Sequence, residues 1–128
     1  MNLLLDTHLL LWVAYEPRKL TRAAEDLLGE PDNILFFSAA SLWEVAIKAA
    51  LGRSDFTVEP APLRAGLLSN GYRELAIESR HVLALRRLPP IHADPFDRML
   101  LAQAGEGGLT LITADRVVAS YGGAVRLV

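Results

Sequence analysis

Four carboxylates carry the chemistry open to this 128-residue chain: Asp6, Glu44, Asp97 and Asp115. Asp6 ends the run Leu3-Leu4-Leu5, and Asp115 follows Leu111-Ile112-Thr113-Ala114. Both read as acids at the carboxyl ends of buried strands, the edge where open α/β sheets bind ligands. Asp97 stands three residues after Asp94, in the first turn of a helix. Glu44 lies about one and a half turns into the helix that follows an apolar run at 34–37. If those strands are adjacent and parallel, all four acids converge at one edge. Such a cluster repels itself unless cations occupy it, and oxygen-only donors suit hard cations, Mg²⁺ or Mn²⁺. A cation of that kind activates water and neutralises charge developing on a phosphodiester.

Taken singly, most of these acids have a structural explanation. Asp94 is an N-cap, with Pro95 at the first helical position, where its missing N–H costs nothing. Asp97, two residues further, would favour the positive end of the helix dipole. Glu44 could simply pair with Lys48, four residues on. Asp115 could be a turn residue or the cap of a short helix. Asp6 is the hardest to explain this way, because a carboxylate at the end of a leucine strand is not needed for folding. The joint placement, not any one acid, points to a site.

Four neighbours could shape that site or touch substrate. Thr7 and Thr113 flank it and could orient carboxylates or water. His92 could ligate a metal, bond to backbone or contact substrate. Arg98 could reach a phosphate, or pair with Asp94 or another acid. His8 sits near the site at a helix start, and Trp12 and Trp43 are expected in the core.

The elements that must hold these residues follow from periodicity and punctuation. Strands are expected at 2–5, 34–37, 72–77, 109–113 and 124–128, separated by helical patterns. Thr21 caps a helix running to about Leu28, and Ser38 caps one over 39–51, the longest, closed by Gly52. A helix at 60–68 should bury Leu63, Leu67 and Leu68, and one at 78–88 is ended by Pro89-Pro90. The helix begun by Pro95 should stop at Gly105 and Gly107-Gly108. The segment 53–59 is irregular apart from a short extended piece at 56–58. Alternating strands and helices with no repeat or linker indicate one α/β domain over 1–128 with a mostly parallel sheet.

Composition narrows the partners. Hydrophobic residues make up 52% of the chain, which implies a generous core or a surface covered by a partner. No cysteine is present, so there is no disulfide framework or thiolate metal site, and a cytoplasmic location is expected. Asp6 and His8 interrupt the N-terminal apolar runs, so neither a signal peptide nor a membrane span is expected. A net charge of −2 argues against holding nucleic acid by bulk charge alone. That argument weakens once bound cations neutralise the four acids.

Four segments now form an ordered set: Leu4-Leu5-Asp6-Thr7-His8, Ser38-Ala39-Ala40-Ser41-Leu42-Trp43-Glu44, His92-Ala93-Asp94-Pro95-Phe96-Asp97-Arg98 and Leu111-Ile112-Thr113-Ala114-Asp115. In these segments the sequence resembles the PIN-domain family, and within it the VapC-type toxins of bacterial toxin–antitoxin pairs. The resemblance implies a PIN-like α/β fold, a mostly parallel sheet of about five strands flanked by helices on both faces. It implies a Mg²⁺-dependent endoribonuclease, with Mn²⁺ a substitute. Asp6 and Asp97 would be the firmest metal ligands, with Glu44 and Asp115 more peripheral. It also implies an RNA substrate, homodimers and neutralisation by a small VapB-type antitoxin. The alternative is a non-catalytic PIN-fold binding module, which loss of a quartet acid would favour; none is missing. A receiver-like phosphoacceptor domain fits poorly, because the chain's only lysines are Lys19 and Lys48.

Overall fold

β1 (Asn2–Leu5) is the middle strand of a five-stranded sheet in the order β3-β2-β1-β4-β5. Its neighbours are β2 (Ile34–Ser38) and β4 (Thr110–Thr113), and β3 (Arg73–Leu75) and β5 (Val125–Leu127) form the edges. Every pairing is parallel, with Leu4 opposite Phe36 on one side and Leu111 on the other. The chain winds from β1 out to β3, then returns to the far side of β1 through β4. The crevice at the carboxyl ends of β1 and β4 is therefore a topological switch point. The computed structural model describes Met1–Val128 in full.

The period of two along β1 divides the core between the two faces of the sheet. Leu3 and Leu5 join Leu9, Leu10, Phe37, Leu63, Leu67 and Ile112 in one cluster. Leu4 joins Ala40, Leu100, Leu101, Ala104 and Leu111 in the other. All three leucines are fully buried, each contributing roughly 1.5–3 kcal/mol. Helices α1 (Thr7–Tyr15) and α4 (Pro60–Ser69) supply the first cluster, and α6 (Pro95–Gly107) the second. α2 (Arg22–Gly29) is capped by Thr21, whose hydroxyl accepts from Ala24 N at 3.1 Å. α3 (Ala39–Ala50) is capped by Ser38 and serves both faces, through Val45 and Ala40. No helix is long and apolar enough to cross a membrane.

Several expectations need correction. The third strand covers only Arg73–Leu75, because as an edge it pairs with β2 alone and the Ala76 carbonyl accepts from the Gln103 side chain instead. The helix expected over 78–88 is α5 (Ser79–Ala84) followed by a 3-10 turn, Leu85–Arg87, whose Leu85 carbonyl is taken by Arg98. α6 runs through Gly105 to Gly107 and turns at Gly108 in the left-handed region (φ 66°), making it one residue longer than α3. Leu68 is exposed, and 56–58 pairs with no strand. Trp43 is not in the core: it is 58% exposed, its ring edge-on to Phe96 at 5.0 Å. Trp12 is half-buried at the rim of the first cluster.

Candidate active site

Asp6 leaves β1 and caps α1. Its Oδ1 accepts from Leu9 N at 2.9 Å, and its Oδ2 accepts from the Thr113 hydroxyl at 2.6 Å. This corrects the expectation that Asp6 has no folding role, since an N-cap of this kind contributes about 1 kcal/mol. The same Thr113 oxygen accepts from Asp115 N at 3.0 Å, so one hydroxyl at the end of β4 ties two of the four acids together. Asp115 in turn caps α7 (Arg116–Ala119), accepting from Val117 N at 2.8 Å. Asp6, His8, Trp12, Ala114 and Asp115 line a cleft of about 270 Å³. The Thr7 hydroxyl points the other way, donating to Ser41 Oγ at 2.9 Å inside the protein.

Asp94 caps α6 with one oxygen, which accepts from Phe96 N at 2.8 Å and Asp97 N at 3.1 Å. Asp97 Oδ2 lies 2.8 Å from His92 Nε2. His92, Asp94 and Asp97 each offer a donor atom within 4.8 Å of the others. That tight group is not the quartet expected from the sequence. Each member is partly engaged: Asp94 Oδ1 with the helix N–H groups, and His92 Nε2 with Asp97 Oδ2. Glu44 is buried on α3 and pairs with Lys48 Nζ at 3.2 Å. α3 is tied to α6 through Ser38 Oγ, which donates to Gln103 Oε1 at 2.6 Å.

Burial and neighbouring charge act on two of the acids. Burial pushes the Asp97 carboxyl above the usual carboxylate range, against the bond from His92, and the charges of Asp94, Asp6 and Glu44 push it further. Burial likewise raises Asp6, opposed by the bonds from Thr113 and Leu9 N and by His8, with Asp115 adding to the rise. Asp97 thus feels the charges of Asp94, Asp6 and Glu44, and Asp6 that of Asp115. Carboxylates gathered at a partly buried sheet edge favour a bound cation. The donor set is all oxygen and suits a hard divalent ion. Asp97 Oδ1, Glu44 Oε1 and Asp115 Oδ2 make no hydrogen bond or ion pair within the chain.

The remaining candidates fall elsewhere. Arg98 pairs with no acid. Its Nη1 donates to Pro89 O at 3.0 Å, to Tyr121 Oη at 3.2 Å and weakly to His92 O at 3.5 Å, and its Nη2 to Leu85 O at 3.3 Å. A planar guanidinium satisfies several carbonyls at once, so Arg98 braces the loop before α6. His92 is held through its own N–H, which donates to Tyr121 Oη at 2.8 Å. Tyr121, Ser41 and Gln103 were missed by sequence reasoning. No local spacing marks them, and only the buried acceptor or donor each one meets reveals its part.

Comparison with known proteins adds three findings. The profile of the PIN domain matches residues 3–124. Ribonuclease VapC22 of Mycobacterium tuberculosis is 31% identical over 123 residues, covering 94% of this chain and 92% of that protein. Among solved structures, VapBC2 from Rickettsia felis bound to a DNA fragment from its promoter superposes with a TM-score of 0.73 at 13% identity, covering 100% of this chain and 98% of that one. VapBC-1 from nontypeable Haemophilus influenzae gives 0.67 at 19% identity, covering 100% and 97%.

Proposed function

The chain belongs to the PIN domain family, and from that premise we propose that it is the toxin half of a type II toxin–antitoxin pair, an endoribonuclease that hydrolyses RNA phosphodiesters. The observation that carries this reading is the Thr113 hydroxyl at the end of β4, which binds both Asp6 and Asp115 at the switch point of a chain whose residues 3–124 match the PIN domain. Residues 1–128 act as a single nuclease domain in the cytoplasm.

Asp6 and Asp97 would hold the cation, with Glu44 and Asp115 more peripheral. Bound there, Mg²⁺ or Mn²⁺ would supply a water of lowered pKa and neutralise charge on the phosphodiester. Thr113 keeps the Asp6 carboxylate in one orientation and positions Asp115 beside it. Lys48 offsets the Glu44 charge from outside the cluster. Asp6→Asn or Asp97→Asn is expected to lower Mg²⁺-dependent RNA cleavage by roughly a hundredfold or more, the scale of losing one electrostatic contact to a reacting group. Growth inhibition should fall with it while circular dichroism is unchanged. Wild-type cleavage by either folded variant would overturn the assignment.

The partners are read from the VapBC complexes that share this fold, and two open surfaces offer room for them. A cavity of about 500 Å³ between α1, α2 and α4 is lined by Val13, Leu28, Leu35, Leu63, Leu67 and Tyr72, which suits an apolar segment of a VapB-type antitoxin. Trp43, Ile47 and Leu51 follow one another four residues apart along α3 and its end, all exposed. Such a stripe supports a homodimer. Light scattering is expected to give twice the 14.0 kDa chain mass, and Trp43→Asp to return it to one chain. A wild-type monomer at micromolar concentration would remove the dimer from this reading.

A further inference from the structure

We propose that His92 is a positioning residue for Asp97, held in place by Tyr121 and Arg98, and that this brace decides which Asp97 oxygen faces the cation. The proposal rests on the reading of Asp97 as a ligand. His92 lies in the segment between the 3-10 turn and α6, where no regular structure fixes its backbone. Two side chains from outside that segment do so instead. Tyr121 Oη, 29 residues away in sequence, accepts from His92 N at 2.8 Å and from Arg98 Nη1 at 3.2 Å, and lies 3.5 Å from His92 O. Arg98 directly follows Asp97 on α6 and spans the carbonyls of Leu85, Pro89 and His92. The loop, the helix start and the segment after α7 thus meet at one histidine backbone.

The imidazole reports what the brace is for. Nε2 is given to Asp97 Oδ2 at 2.8 Å, with the two side chains 23% and 20% exposed. With Asp97 ionised, its carboxylate can only accept, so Nε2 donates and, while it does, offers no lone pair to a metal. Asp97 Oδ1 is left with no protein partner. A carboxylate at the third position of a helix can turn about its last torsion. Fixing one oxygen holds the plane and presents the other, which removes the ordering cost from ligand binding.

The test is a Mn²⁺ titration by calorimetry on the full chain, with circular dichroism and thermal melting to confirm folding. His92→Ala is expected to weaken binding 10–100-fold, the range for groups that orient a ligand from outside the first shell. His92→Gln keeps an N–H at similar reach and should restore affinity to within a few-fold. Tyr121→Phe, which deletes the acceptor and leaves the ring, should weaken binding roughly 2–10-fold and carries the test if His92→Ala does not fold. Nitrogen NMR of the His92 ring is expected to show a protonated Nε2 before and after Mg²⁺ is added. Unchanged affinity in His92→Ala or Tyr121→Phe, or loss of the Nε2 proton on adding Mg²⁺, would overturn the brace while Asp97→Asn still abolishes binding. If the wild-type chain takes up no Mn²⁺, the reading of Asp97 as a ligand fails, and the brace with it.

Discussion

The starts of α5 and α6 use the same residue types and reach opposite ends. Each places a histidine and an acid at a helix N-terminus. At α5, Glu78 N donates to His81 Nδ1 at 3.0 Å, and the histidine is fully buried. Its Nε2 is 4.0 Å from Glu78 Oε1, too far for a hydrogen bond, and has no partner. Arg80 Nη2 holds that same Glu78 oxygen at 3.0 Å. At α6 the neighbouring arginine, Arg98, is occupied by carbonyls and the Tyr121 hydroxyl, so Asp97 is left to His92 and the crevice. A histidine beside an acid does not make a site. What the nearest arginine binds determines whether the acid stays available.

That difference is sharpest as a double dissociation between the two histidines. His81→Ala opens a hole in a fully buried position and should cost about 2–4 kcal/mol in urea unfolding, with Mn²⁺ affinity unchanged. His92→Ala removes a partly exposed side chain and should cost under about 1 kcal/mol, with its loss appearing in metal affinity instead. Equal stability losses from the two variants would break the comparison, because the two helix starts would then be doing one structural job.

Much of this is legible in the sequence. Leu3–Leu5 had to be a strand buried on both faces, and an acid after such a strand lands at the sheet's carboxyl edge. The Asp94-Pro95 start of α6 is local chemistry and reads directly. The parts that did not read are those where a side chain meets something far away in the chain. Tyr121 gains its role only when the segment after α7 reaches the loop before α6. Trp43 carries the same apolar signal as a core residue, and only the packing of α3 turns it to the surface. Asp6 illustrates both limits: its place at the edge was readable, but its capping of α1 required the turn between β1 and α1.

The smallest expected effect concerns acid, and it separates the two helix starts by sign. Burial lowers the His81 pKa from its ordinary 6.5, and the charge of Arg80 lowers it further, while Glu78 and Glu106 oppose the shift. The unfolded chain therefore takes up this proton at a higher pH than the folded one. Stability from His81 is complete above 6.5 and is lost as pH falls toward its folded value, at no more than about 1.4 kcal/mol per pH unit. Asp97 and Asp6 run the other way. Their carboxyls are raised from 3.8, so the folded chain holds those protons more tightly, and their contribution declines as pH rises through that window. Urea unfolding of wild type and His81→Gln at pH 7.5, 6.5 and 5.5 isolates the first effect, since both proteins share the second. The stability difference between them should narrow on acidification, because only the wild type has a histidine at position 81 to charge. Parallel pH curves would mean that His81 keeps an ordinary affinity for its proton despite its burial, and the contrast between the two helix starts would then rest on geometry alone.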